Sequence, residues 1–125
     1  KKKIQKYILS TDIENLDVII SGSIPPNPTN LLESKRLEEV VSELEKEYDI
    51  IIFDTPPVTG LSDALILTRL VDTTIVVARA RKTPVDLLDN TLKSLNAVNA
   101  SVAGVILNRV KKSKSKYYNN YYTNK

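Results

Sequence analysis

The chain has no cysteine, methionine, tryptophan or histidine among its 125 residues. Without cysteine there is no disulfide framework and no thiolate chemistry. Without histidine, the commonest general base and transition-metal ligand is gone. Glycine is scarce: Gly22, Gly60 and Gly104 are the only three. None of them begins a G-x-x-x-x-G-K-[ST] loop, which needs glycines so that backbone N–H groups can wrap phosphates. No apolar run approaches the roughly 18–20 residues that span a bilayer, and no signal peptide is visible. A chain that opens on Lys1 and holds no methionine is expected to be a processed product or a fragment.

What is present is enough for one domain with a real core. Charge is divided unevenly. Residues 111–125 hold five lysines and no acid, while residues 1–110 hold 13 basic and 15 acidic residues. The basic character therefore belongs to the C-terminal segment, and the body is not a basic nucleic-acid surface. That segment also carries Tyr117, Tyr118, Tyr121 and Tyr122, four of the six tyrosines. Little else there is apolar, so these rings have no packed core to join. An exposed tyrosine hydroxyl can accept a phosphoryl group, adding about −1.5 to −2 charges per site.

Apolar periodicity predicts alternating strands and helices. Leu16–Ser21 reads as a strand entering a turn that contains Gly22, Pro25, Pro26 and Pro28. A helix follows, with Asn30 as its cap and Glu33 completing a capping box. Leu37, Val40, Val41, Leu44 and Tyr48 then recur at helical spacing. Ile50–Phe53 is wholly apolar, the pattern of a strand buried on both faces of a parallel sheet. Ser62–Val71 predicts a short helix and Thr74–Ala78 another buried strand. Thr83 and Pro84 open a further helix, with proline at its first position and Asp86 completing the cap. Its Leu88, Thr91, Leu92, Leu95 and Val98 would face the sheet. Val102–Leu107 is the last strand. The order is that of an α/β domain with a parallel sheet and right-handed crossovers. Lys1–Lys3 fits a solvated face or loop.

In such a sheet, ligands bind beyond the carboxyl ends of the strands. Asp54 stands at one of these ends, after four large apolar residues, as a Walker B carboxylate does near Mg²⁺. Many parallel strands end in an aspartate that merely caps the next turn. The following Thr55-Pro56-Pro57 makes the pattern more specific, because the prolines stiffen the exit and cannot continue the ladder.

The runs Pro25–Pro28, Leu31–Arg36 and Tyr48–Pro57, with Ser62–Ala64, Gly104–Val110 and the C-terminal tyrosine cluster, resemble the bacterial tyrosine kinases of capsule and exopolysaccharide synthesis. That family is a branch of the P-loop ATPases, and the resemblance runs from about Glu14 to Lys125. It implies an α/β parallel-sheet P-loop NTPase fold over residues 1–110, followed by a disordered autophosphorylation tail over 111–125. It implies ATP and Mg²⁺ as cofactors, with Asp54 helping to place the metal through water. Asn108, at the end of the last strand, would lie near the adenine, where its amide can donate and accept; the alternative is a turn residue after a strand. Tyr117, Tyr118, Tyr121 and Tyr122 would be phosphoacceptors, presented in trans to a neighbouring subunit. Tyr7 and Tyr48 lie outside the cluster. Further implications are a ring-like homo-oligomer, a transmembrane polysaccharide co-polymerase as activator, a cognate tyrosine phosphatase, and a cytoplasmic location at the inner membrane face through the activator.

The missing phosphate loop is the main departure. It implies that the N-terminal P-loop half of the kinase domain is absent here, that the fold is partial with an open sheet edge, and that the chain alone is inactive. One alternative is a partition or positioning ATPase of the same superfamily, in which the tyrosine cluster would have no role. Another is a binding module whose Lys/Tyr segment stacks on nucleic acid. The slightly acidic body argues against the latter, and no nucleic-acid partner is expected.

Overall fold

The computed structural model describes residues 4–23, 25–57 and 63–111. Two compact units divide the chain, Lys1–Asp72 and Thr73–Lys125.

The first unit opens with a 3₁₀ turn, Ile4–Tyr7, and a short antiparallel ribbon of β1 (Leu9–Ser10) and β2 (Asp17–Val18). Thr11 closes the loop between them. Its hydroxyl donates to the Leu16 carbonyl at 2.8 Å and accepts from the Ile13 N–H at 3.1 Å. The strand expected over Leu16–Ser21 thus shrinks to two residues and pairs antiparallel rather than within a parallel sheet.

Two helices replace the single one expected next. Pro28 begins α1 (Pro28–Leu32), since its fixed φ suits a first helical position and its missing N–H would be unpaired there anyway. Asn30 therefore lies inside α1 and caps nothing. The cap belongs to Ser34, whose hydroxyl accepts from the Leu37 N–H and starts α2 (Lys35–Leu44). Val41 and Leu44 are buried on the apolar face of α2. The glutamates Glu38, Glu39 and Glu45 lie exposed. Past the helix, Tyr48 donates its hydroxyl to the Asp17 carboxylate at 2.6 Å, tying this end to β2. That hydrogen bond, helped by the carboxylate charge, holds the Tyr48 phenol above its usual pKa. The expected helix over 62–71 is α3 (Asp63–Leu67), tightening into a 3₁₀ turn at Thr68–Leu70. Ala64 and Leu67 are buried, and α3 packs against α1.

Ile50–Phe53 carries no ladder partner among the described residues. Burial alternates along it: Ile51 and Phe53 are half-buried, whereas Ile50 and Ile52 are 77% and 84% exposed. Only one face is covered, which corrects the expectation of a strand buried on both. An aliphatic run becomes a sheet strand only where neighbours supply its hydrogen bonds, and this run finds none among the described residues.

The second unit is a β–α–β unit, β3 (Thr74–Arg79), α4 (Val85–Ala97) and β4 (Val102–Asn108), with the two strands parallel as expected. Their register runs from Thr74 opposite Val102 to Arg79 opposite Asn108, with one irregularity between Thr74 and Ile75. Pro84 takes the cap position of α4 rather than the first helical one and makes no side-chain cap bond. The Thr83 hydroxyl instead accepts from the Arg79 N–H at 2.9 Å. Leu95 is the most buried large side chain, at 1% exposure, and Ala78 of β3 is 2% exposed. Leu88, Thr91 and Leu92 are half-buried, while Val98 at the helix end is exposed. Ile75 and Val77 of β3, and Val105, Ile106 and Leu107 of β4, remain exposed.

Candidate functional site

Asp54 follows the unpaired Ile50–Phe53 segment, on its exposed face with Ile50 and Ile52. Thr55 is half-buried, and Pro56 and Pro57 are exposed beyond it. The carboxylate of Asp54 makes no hydrogen bond or ion pair with the described residues. No cluster of three or more acidic side chains able to hold a metal occurs among the described residues. A lone, open carboxylate fits a magnesium ion that keeps most of its waters and takes its other ligands from phosphates. It does not fit a dedicated protein cage.

Asn108 closes β4 in the second unit. Its Oδ1 accepts from the Arg109 N–H at 2.7 Å, which orients the side chain, and its NH₂ donates to none of the described residues. The Asn108 carbonyl accepts from the Ala80 N–H at 2.9 Å, so the loops after β3 and β4 start side by side. Arg81 and Arg109 both take left-handed backbone conformations, with φ of 62° and 57°. Such φ values are uncommon outside glycine, and they turn both loops sharply away from the strands.

The two candidate positions in the body thus sit at the ends of different apolar segments, one in each unit. Tyr117, Tyr118, Tyr121 and Tyr122 lie outside the described residues. Sequence reasoning passed over the cationic residues flanking Asn108, namely Arg79, Arg81, Lys82 and Arg109. The run Arg79-Ala80-Arg81-Lys82 directly after a strand was the available signal. The parallel register that brings it beside Asn108-Arg109 was not.

Residues 1–107 match the family model of an AAA domain. A Bacillus subtilis protein, tyrosine-protein kinase YwqD, is 35% identical over 123 residues, which is 98% of this chain and 52% of that protein. A putative tyrosine-protein kinase in the cps region of Klebsiella pneumoniae is 39% identical over 115 residues, 91% of this chain and 16% of the relative. Among solved structures, the chimerical protein CapA2B2 superposes with a TM-score of 0.84 at 34% identity, covering 89% of this chain and 49% of that one. The chain therefore spans about half the length of the Bacillus relative and a smaller share of the Klebsiella one. With its parallel β–α–β unit and a family match reaching from Lys1 to Leu107, the chain belongs to the AAA domain family, in the branch of the bacterial tyrosine-protein kinases.

Proposed function

We propose that this chain is the C-terminal part of an ATP-dependent protein-tyrosine kinase acting in the synthesis and export of capsular polysaccharide or exopolysaccharide. The observation that carries the reading is the match to YwqD over 98% of the chain, which reaches beyond the AAA domain into the tyrosine cluster. The partition-ATPase alternative finds no support in these relatives, which are named as kinases.

In this reading, residues 1–110 are catalytic body and residues 111–125 are the substrate segment. Phosphoryl transfer rests on positioning and on electrostatic stabilisation of the phosphates. Bound MgATP supplies the phosphoryl group and the charge that neutralises its transfer. Asp54 is suited to hold the metal's water shell, because no described residue engages its oxygens. Asn108 is suited to present its NH₂ to an acceptor edge of adenine, because Oδ1 is held by the Arg109 N–H. Tyr117, Tyr118, Tyr121 and Tyr122 receive the phosphoryl group in trans. This chain contributes no glycine-rich phosphate loop, so activity requires that loop from the rest of the kinase. A ring-like oligomer, a transmembrane co-polymerase as activator, a cognate phosphatase and a place at the inner membrane face complete the proposal. The absence of any helix long and apolar enough to cross a membrane, among the described residues, is compatible with an anchor supplied by the activator.

The test is phosphosite mapping by mass spectrometry on the full kinase with MgATP and its activator. Phosphate is expected on at least one of Tyr117, Tyr118, Tyr121 and Tyr122. Asp54→Asn should reduce it by a factor of about 100 or more, the scale on which removal of one electrostatic group acts. An unmodified tail with ATP still hydrolysed would defeat the proposal.

A further inference from the structure

The carboxyl ends of β3 and β4 carry a cationic surface that the proposed chemistry does not use. Arg79 and Asn108 are register partners at the two strand ends, and neighbouring strands lie about 4.8 Å apart. Each exit is closed by its own hydrogen bonds. After β3, the Lys82 and Thr83 N–H groups donate to the Arg79 carbonyl at 3.1 and 2.9 Å. After β4, the Arg109 N–H donates to Asn108 Oδ1. The backbone is thus engaged, while the side chains of Arg79, Arg81, Lys82 and Arg109 are all exposed. None of the four makes an ion pair with a described residue. The second unit has only two acids, Asp86 and Asp89, and Asp89 is already paired with Lys93 at 2.6 Å. Asp86, in the first turn of α4, is the unit's other acid.

We propose that this surface captures the chain's own C-terminal segment once its tyrosines carry phosphate. The inference rests on the reading of Tyr117–Tyr122 as phosphoacceptors. Unmodified, residues 111–125 hold five lysines and no acid, so like charge disfavours their contact with the surface. Four phosphates bring about −6 to −8 charges into the stretch Tyr117–Tyr122 and reverse the sign. Arginine favours this ligand, because its planar fork matches phosphate with two parallel hydrogen bonds. Position favours the chain's own segment over another anion. The segment leaves directly from Arg109, and Tyr117 is eight residues further on. Eight residues reach at most about 26–29 Å, so the phosphates stay within range of the four cations. A tether that short gives an effective concentration on the order of millimolar. Capture would then withdraw a phosphorylated segment from neighbouring subunits.

The experiment uses a fluorescent synthetic peptide of residues 111–125 carrying four phosphotyrosines, titrated with the full chain at fixed ionic strength. Saturable binding is expected, at least tenfold tighter than that of the unmodified peptide. The triple change Arg81→Ala, Lys82→Ala, Arg109→Ala should weaken it at least tenfold, while Lys93→Ala, removing one charge elsewhere on the unit, should not. The single Lys82→Ala change, with circular dichroism on every variant, separates lost charge from lost fold. Equal affinity for both peptides, or an unchanged affinity in a folded triple variant, overturns the proposal. Finally, a chain ligated to a phosphorylated tail should no longer take up the peptide, independently of chain concentration; undiminished uptake refutes capture within one chain. Because the phosphates are synthetic, these outcomes do not depend on whether the kinase itself modifies the tail.

Discussion

Leu95 shows how much a single side chain carries in a fold with few buried residues. It sits at 1% exposure, and Val41, Leu44, Ala64, Leu67 and Ala78 are the other buried apolar residues described. Leu95→Ala should destabilise the chain by about 2–5 kcal/mol, as deletion of a buried leucine side chain does; a urea melt within 1 kcal/mol of the parent, on the same scale, would remove it from the core. Ser34→Ala should cost about 1 kcal/mol through loss of the α2 cap, and Ser34→Asp should restore it. Tyr48 reports on pH. Its folded pKa is raised by the hydrogen bond to Asp17, so the contact stabilises below the unfolded phenol value of about 10. That contribution fades as pH climbs through the higher folded value. In an ultraviolet titration of the tyrosinates, Tyr48→Phe should delete the component that ionises last. Loss of an early component instead would mean that the Asp17 contact does not form in solution.

The elements differ in how far they satisfy themselves. The β3–α4–β4 unit has its own ladder and its own helix, whereas among the described residues Ile50–Phe53 has no ladder partner, and Ile50 and Ile52 lie exposed. Within the chain this exposed pair contributes little. The double change Ile50→Thr, Ile52→Thr should alter stability by less than about 0.5 kcal/mol, as exposed substitutions usually do. The same change should lower binding of a hydrophobic dye. A large drop in the urea midpoint would show that these side chains are buried after all.

At the scale of the whole molecule, charge is sorted along the chain. Residues 1–72 hold eight basic and 13 acidic residues, and residues 73–125 hold ten basic and two acidic ones. The proposed modification acts on this asymmetry. Phosphorylation of all four tail tyrosines should take the net charge from +3 to about −3 to −5 and move the isoelectric point from basic to acidic. Isoelectric focusing of the chain after incubation with the full kinase and MgATP measures it directly, and an unmoved band would mean that the tail is not the acceptor.

The sequence by itself settled what depends on local chemistry. The parallel strands at Thr74–Arg79 and Val102–Asn108 were legible because β-branched and apolar runs bracket an amphipathic helix of ordinary length. Asp54 was a candidate because it ends an apolar run before Thr55-Pro56-Pro57, and Asn108 because its run resembles that of the kinase family; neither run excludes a plain turn residue. The tail tyrosines stood out because four of the six fall within six positions, in a stretch with five lysines and no acid. The tertiary structure decided what depends on competition between groups far apart or equally plausible. Both Asn30 and Ser34 are good caps, and Pro28 decided between them by starting a helix that absorbs Asn30. Ile50–Phe53 reads as a buried strand from its side chains alone, but a strand also needs partners for its backbone. The cationic surface beside Asn108 needed the register of β3 against β4, because hydrogen bonding between strands, and no spacing along the chain, sets Arg79 next to Asn108.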